Sequence, residues 1–391
     1  MQTRDADELE LSVVMPCLNE ADTLETCITK AQEAMRAAGV PGEVVVADNG
    51  STDDSVKIAE RCGAVVVKVA DRGYGSALMG GIDSARGRYV LIGDADDSYD
   101  FLEVSSFVEK LREGNELVQG CRLPAGGGTI LPGAMPILHR WLGNPLLTTM
   151  MQFMFRAPVH DAYCGMRAFT RDLYDRLALR CTGMEFATEM IIKATLQGAI
   201  MAEVPITLHP DGRRTHGPHL RTFRDGWRTV RFFLMYSPRW LFLYPGFLLV
   251  GLGAIGYAVA LPGLTLFGAQ FDAHTLLFAS LFVLMGYQSV LFALVSKTFA
   301  VTEGLMPEDP RLDRFFDFAK LEVGLAAGFG ALLLGFGLLI GAVDQWRVAE
   351  FGELDYAKTM RWVIPGVTLA ATGFQTVLWS FYVSILGMRR K

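Results

Sequence analysis

The sequence predicts an α/β domain built on a mostly parallel sheet, followed by a region of four membrane-spanning helices. Three observations lead there. Short β-rich runs alternate with helical patterns over residues 1–220, as parallel strands with crossover helices require. Four long apolar stretches, 241–261, 275–296, 321–343 and 363–387, fill the second half, with only Glu322 carrying charge inside them. Within the first half, Asp94-Ala95-Asp96-Asp97 ends the apolar run Tyr89-Val90-Leu91-Ile92-Gly93.

The strands are expected at 11–16, 43–48, 64–70, 88–94 and 116–121, each rich in valine, leucine or isoleucine. Helices are expected near 22–37, 53–62, 75–86 and 101–113. Residues 19–25 place acid in the first turn of the first helix, which suits the helix dipole. Residues 221–240 join the halves as an interfacial amphipathic helix, the alternative being an ordinary amphipathic helix packed on the first domain. Phe223, Trp227, Val230 and Leu234 form one stripe on it, and Arg221, Arg224, Arg228 and Arg231 the adjacent one. Each later apolar stretch exceeds the roughly 20 residues that cross a hydrocarbon core of about 30 Å. The membrane region is therefore 241–391, and the preceding domain is 1–220.

Loop charge sets the expected orientation. Lys297, Arg311, Arg314 and Lys320 follow the second span, and Arg389-Arg390-Lys391 ends the chain, whereas 262–274 has no Lys or Arg. Both termini and the first domain then face the cytoplasm, on the inner side of a multi-pass cell membrane protein. The N-terminal residues are polar and acidic and lack a signal-peptide core. The net charge of −6 argues against nucleic acid as a partner. The six cysteines form no C-x-x-C pair, so zinc and redox motifs are unsupported.

The chemistry is expected where strands end, because open α/β sheets bind ligands at the carboxyl edge. Three polar clusters fall there: Met15-Pro16-Cys17-Leu18-Asn19-Glu20, Asp48-Asn49-Gly50-Ser51-Thr52-Asp53 and Asp94-Ala95-Asp96. Carboxylates as close as Asp94 and Asp96 repel unless a cation sits between them. A hard cation, Mg²⁺ or Mn²⁺, is the natural one, and its usual task is to hold a diphosphate. Asp48 and Glu20 suit hydrogen bonds from a base or ribose, while Asp53 serves equally as a helix cap and Asn49-Gly50 as a turn. Gly73 and Gly75 either let backbone approach a ligand or serve a turn. Glu185 and Glu189, spaced i, i+4, either contact a bound ligand or lie on a solvated helix face.

With Arg72-Gly73-Tyr74-Gly75-Ser76-Ala77, Gln119-Gly120-Cys121-Arg122 and Asp161-Ala162-Tyr163-Cys164-Gly165-Met166-Arg167 added, residues 10–220 resemble a family 2 glycosyltransferase of GT-A fold. Within that family they are similar to the dolichol-phosphate mannose or glucose synthases, polyprenol-phosphate glycosyltransferases. The resemblance implies a Rossmann-like GT-A catalytic domain. It surrounds the base and ribose of a nucleotide-sugar with Pro16, Asn19, Glu20, Asp48, Ser51 and Asp53, and places Gly73, Asp161 and Arg167 near the sugar or diphosphate. Asp94 and Asp96 would hold the divalent ion, with Ser98 in the place of a third ligand. It also implies a polyprenyl phosphate acceptor, already ionised and in no need of a general base. Arginine forks suit its phosphate, and Arg122, Arg140 and Arg213 are the candidates, with Arg214 and His216 beside the bilayer entry. Arg140 is equally a snorkelling side chain.

The expected product is a polyprenyl-phosphate hexose, formed with inversion. Glucose from UDP-glucose is favoured over mannose from GDP-mannose because Gly93-Asp94-Ala95-Asp96-Asp97-Ser98-Tyr99 looks more like the glucose-synthase branch. The alternatives are a transferase acting on another lipid or glycan hydroxyl, and a non-catalytic membrane scaffold. Lipid docking, homo-oligomerisation and product handover are the roles open to the extra spans.

Overall fold

A computed structural model describes residues 9–213, 222–266, 268–318 and 320–388. Arg214, His216, Arg221, the side chain of Phe223 and Arg389-Arg390-Lys391, all named above, lie outside the described residues. The chain forms two compact units, Met1–Phe233 and Leu234–Lys391.

In the first unit, β1 (Leu11–Cys17), α1 (Leu24–Ala37), β2 (Gly42–Asp48), α2 (Ser55–Arg61), β3 (Val65–Lys68), α3 (Tyr74–Ser84), β4 (Tyr89–Ile92), α4 (Val104–Arg112) and β5 (Leu117–Cys121) follow in the anticipated order. Next come the short β6 (Thr129–Ile130), α5 (Asn144–Phe155), β7 (Arg167–Thr170), α6 (Arg171–Leu177), α7 (Phe186–Leu196), β8 (Met201–Pro205), β9 (Thr207–Leu208) and α8 (Thr222–Met235). The main sheet has seven strands in the order β3-β2-β1-β4-β7-β5-β8. It is parallel except at β7, which runs antiparallel to both β4 and β5. Sequence reasoning missed β7 and β8. β7 is four residues long and opens with a buried arginine, so it shows no apolar alternation.

Alternation along β1 decides the packing. Leu11, Val13, Met15 and Cys17 join Leu24 and Ile28 of α1 and Phe107 and Val108 of α4 in one continuous core. Val14 faces the other side, where α3 lies so close that a Cβ at Gly81 would sit 2.6 Å from Val14. Both faces are covered, and the carboxyl edges of β1, β2 and β4 are brought side by side, with Cys17 in register with Asp48.

The second unit holds α9 (Tyr244–Ala260), α10 (Ala273–Thr302), α11 (Pro310–Phe318), α12 (Leu321–Val348) and α13 (Tyr356–Met388). Among the described residues, four helices are long and apolar enough to cross a membrane: Arg239–Ala260, Ala273–Thr302, Leu321–Val348 and Tyr356–Met388. Lipid supplies no hydrophobic drive between helices, so small residues and hydroxyls make the contacts. A Cβ at Gly335 would lie 2.5 Å from the Ala370 nitrogen, and one at Gly373 would lie 2.6 Å from the Leu332 nitrogen. Tyr257 joins three helices, its hydroxyl 2.6 Å from Ser280 and 3.0 Å from Thr368. Gly335→Val is therefore expected to force α12 and α13 apart and to cost about 1–3 kcal/mol, as overpacking does. Its thermal unfolding in detergent should shift downward, and an unchanged transition would show that this glycine contact carries no stability.

α8 turns Phe232 and Phe233 inward, with Phe233 edge-on to Phe155 at 5.8 Å. Trp227 is exposed, as are Arg224, Arg228 and Arg231. A second exposed apolar run lies on the same unit: Ile137, Trp141, Leu142 and Leu146 lead into α5 and continue to Phe153.

Candidate active site

The first edge cluster is stitched to the second. Asn19 adopts a left-handed backbone (φ 60°); its N–H donates to Ser51 Oγ at 2.9 Å, and its Oδ1 accepts from Thr52 N–H at 2.8 Å. Asp48 Oδ1 accepts from Ser51 N–H at 3.0 Å, which closes the Asn49-Gly50 turn. Asp53 bonds Ser55 through Oδ1 and accepts from Ala21 N–H through Oδ2 at 3.1 Å. Burial pushes the Asp53 carboxyl up, but the Ser55 hydroxyl and these N–H groups outweigh it and hold it below the ordinary range. Pro16 is half-buried at the end of β1 beside them. The cluster is thus a rigid cradle in which Pro16, Asn19, Asp48, Ser51 and Asp53 are brought together.

The third cluster divides its carboxylates. Asp97 and Asp100 turn to Lys30, at 2.8 and 3.8 Å. Asp94 and Asp96 turn the other way. Asp94 Oδ1 accepts from the Tyr74 hydroxyl at 2.8 Å, and Oδ2 faces Gly165, where a Cβ would sit 2.6 Å away. Asp96 Oδ1 accepts from Ser98 N–H at 3.1 Å and from Ser98 Oγ at 2.6 Å. Ser98 therefore orients Asp96, where the sequence suggested a separate third ligand. Burial, and then the charge of Asp96, push the Asp94 carboxyl up to about 6.

A guanidinium faces the second of these carboxylates. Arg213 Nε and Nη2 each lie 2.8 Å from a Glu20 oxygen, Nη2 lies 3.3 Å from Asp96 Oδ2, and Nη1 lies 3.0 Å from Asp211. Gly212 N–H donates to the Asp96 carbonyl at 2.9 Å and anchors the segment. Arg213 was expected to meet an acceptor phosphate, but the structure places it inside the acidic crevice because three carboxylates converge there. It fills part of that crevice. Cavities of about 400 and 360 Å³ lie elsewhere, lined by Glu33 and Leu102 among others in one and by Arg86 and Arg176 among others in the other.

Arg122 also departs from expectation. Its Nε lies 2.7 Å and its Nη2 2.9 Å from the two oxygens of Asp161, and both side chains are buried. The fork that suits a phosphate is occupied by a carboxylate of the same chain. Burial works against the Asp161 charge, but Arg122 more than offsets it and holds that carboxyl low. Arg167, expected near the donor, is fully buried in β7 and donates to the carbonyls of Ala187 and Cys164 at 2.9 and 2.6 Å. Arg140 stacks over Trp141 at 5.5 Å on the exposed apolar run. Glu189 is fully buried, 2.8 Å from Lys193, so neither a sugar contact nor a solvated face describes it. Tyr74 and Lys30 are the residues that sequence reasoning left without a role. A tyrosine between Gly73 and Gly75 was the available signal for the first.

Two family profiles match the chain. Residues 12–178 match glycosyl transferase family 2, and residues 294–387 match the glycosyltransferase family 2 C-terminal transmembrane region. Among curated relatives, the low-salt glycan biosynthesis hexosyltransferase of Haloferax volcanii is 38% identical over 380 residues, covering 96% of this chain and 89% of that protein. A dolichyl-phosphate hexose transferase of the same organism is 32% identical over 198 residues, covering 50% of this chain and 82% of that one. Among solved structures, glucosyl-3-phosphoglycerate synthase from Mycobacterium tuberculosis with Mn²⁺, UDP and its glucosylated product is 23% identical over 58% of this chain and 78% of that one, with a TM-score of 0.45. The match to the hexosyltransferase runs through both units, so the chain belongs to glycosyltransferase family 2, as an enzyme that joins a glycosyltransferase domain to a transmembrane region.

Proposed function

We propose that the protein transfers a hexose from a nucleotide-sugar to a polyprenyl phosphate with inversion, giving a polyprenyl-phosphate hexose. The observation that carries this reading is the pair Asp94 and Asp96 on the sheet edge, aimed away from Lys30, in a chain whose other unit supplies four apolar helices. The donor set fits Mg²⁺ or Mn²⁺, which take one or two carboxylates plus substrate phosphates. Arg213 already lies against Asp96 as a positive stand-in. When bound, the ion supplies neutralisation of charge on the departing nucleoside diphosphate. The cradle from Pro16 to Asp53 holds the nucleoside, while the close backbone approach at Gly73 is to the Thr182 carbonyl of the same chain.

An acceptor phosphate oxygen attacks the anomeric carbon while the bond from that carbon to the donor diphosphate breaks on the opposite face. No proton has to be removed from the nucleophile. The side chains agree with that: Asp161 and Glu189 are both held in buried ion pairs and neither is poised as a base. The exposed run from Ile137 to Phe153 offers an apolar edge to a lipid, with Arg140 on it as the acceptor-phosphate candidate. Arg122 and Arg213 can take that part only by leaving Asp161 and Glu20. The catalytic unit and both termini lie on the cytoplasmic side of the cell membrane, as the loop charges favour.

Purified full-length protein incubated with undecaprenyl phosphate and, separately, UDP-glucose, GDP-mannose and other nucleotide-sugars should yield one acid-labile sugar phospholipid by mass spectrometry. UDP-glucose is the expected donor. Transfer to a hydroxyl-bearing lipid or glycan with none to the phosphate would overturn the reading.

A further inference from the structure

The fully buried Glu189–Lys193 pair, remote in sequence from the carboxylate clusters, is wired to them by contacts that can be followed atom by atom. Glu189 Oε2 accepts from the N–H groups of Arg180 and Cys181 at 2.9 and 2.8 Å, and Lys193 Nζ donates to the Ala178 carbonyl at 2.8 Å. Three hydrogen bonds thus pin the 178–181 segment onto α7. The next residue, Thr182, accepts through its carbonyl from Ser76 N–H at 3.1 Å, in the first turn of α3. The approach is closer still at the glycines. A Cβ on Gly73 or Gly75 would enter the carbonyls of Thr182 or Cys181, and Gly73 holds a φ of 140° that favours glycine. From the other side, Asn49 Oδ1 accepts from Gly73 N–H at 2.8 Å. Tyr74 stands between the two glycines, and its hydroxyl donates to Asp94 Oδ1 at 2.8 Å. In that bond the hydroxyl is the donor and the carboxylate the acceptor.

We propose that the Glu189–Lys193 pair is a remote positioning device for the cation-binding Asp94, acting through the 178–183 loop, the Gly73-Tyr74-Gly75 turn and the Tyr74 hydroxyl. The inference rests on the reading of Asp94 as a ligand of the donor's divalent ion. Tyr74 ties one carboxylate oxygen and leaves the other to the ion, and the loop fixes where Tyr74 can stand. Neither Glu189 nor Lys193 touches the reacting atoms. They are positioning residues, and their effect belongs to metal affinity rather than to nucleoside affinity.

Calorimetry of UDP and GDP binding to the full-length protein in detergent, with Mn²⁺ and with chelator, tests this without turnover. Tyr74→Phe should weaken Mn²⁺-dependent binding about tenfold and leave binding in chelator unchanged. Glu189→Gln with Lys193→Met keeps an acceptor for the two loop N–H groups, leaves no buried unpaired ammonium and loses only the Lys193 bond to Ala178, so its affinity should fall between the wild type and the tenfold loss. Glu189→Leu with Lys193→Met removes that acceptor and should reproduce the tenfold loss. Combined with Tyr74→Phe, it should add little, because both changes act on one chain of contacts. If the wild type shows no Mn²⁺-dependent binding of either nucleotide, the assignment of Asp94 to the ion fails. If the wild type shows it and the leucine variant retains it, the positioning inference alone is overturned. Should the leucine variant not fold, an undiminished Mn²⁺ response in Tyr74→Phe overturns it equally.

Discussion

Asp96→Asn is expected to reduce hexose transfer by on the order of 10²–10³-fold or more, the loss that follows removal of one group stabilising charge in a transition state. The fold should survive. Asp96 is half-buried, and its Oδ1 accepts from Ser98 N–H and Oγ, bonds that an asparagine carbonyl can keep. What disappears is the charge on Oδ2, the oxygen that faces Arg213 at 3.3 Å. The pH dependence separates this from a general disturbance. In the wild type, burial and Asp96 together push the Asp94 carboxyl up to about 6. Cation binding needs that carboxyl ionised, so Mn²⁺-dependent nucleotide binding should fall as pH drops through about 6. Asp94 also binds its proton more tightly in the folded than in the unfolded chain, so its contribution to stability declines as pH rises from about 4 towards 6. Removing the charge of Asp96 removes one cause of the shift, and the residual binding profile should move to lower pH. Product formation by mass spectrometry and Mn²⁺ titrations at several pH values check both statements, and normal turnover by the variant would refute the metal assignment.

What was legible in the sequence follows a physical boundary. Strands β1, β2, β4 and β5 announced themselves because they are mostly buried on both faces and read as short runs rich in valine, leucine or isoleucine. The four apolar helices were legible because hydrocarbon selects composition directly. Asp94 and Asp96 stood out because two acids close a strand at the edge where ligands bind. Pairings between distant residues were not legible. Arg122 and Asp161 are 39 residues apart, and Glu20 and Arg213 are 193 apart. Each residue alone reads as a free charge at a site, and only the folded sheet reveals that its partner is already in the chain. β7 was hidden for a related reason: Arg167 occupies a position in the middle of the sheet that pattern reasoning reserves for an apolar side chain.

Asp161→Asn is expected to destabilise the catalytic unit by about 3–5 kcal/mol, because it strands the Arg122 charge in a buried position. The pair lies in buried surroundings, with Asp161 fully enclosed and also accepting from Arg122 N–H at 3.0 Å. Asparagine can replace one acceptor but neither the charge nor the second oxygen. For a unit of this size the loss corresponds to a fall of roughly 6–20 °C in unfolding temperature. Replacing both partners, Arg122→Met with Asp161→Leu, should recover much of it, since an apolar pair of similar volume carries no unpaired charge. Differential scanning fluorimetry of the full chain in detergent distinguishes the cases. The same measurement bears on the acceptor. If Asp161→Asn unfolds where the wild type does, the ion pair is not a structural lock, and Arg122 can leave it at little cost to bind a lipid phosphate. If Asp161→Asn is strongly destabilised and the double replacement is not, the fork is committed to the fold. Arg140 and Arg213 then remain as the arginines for the acceptor.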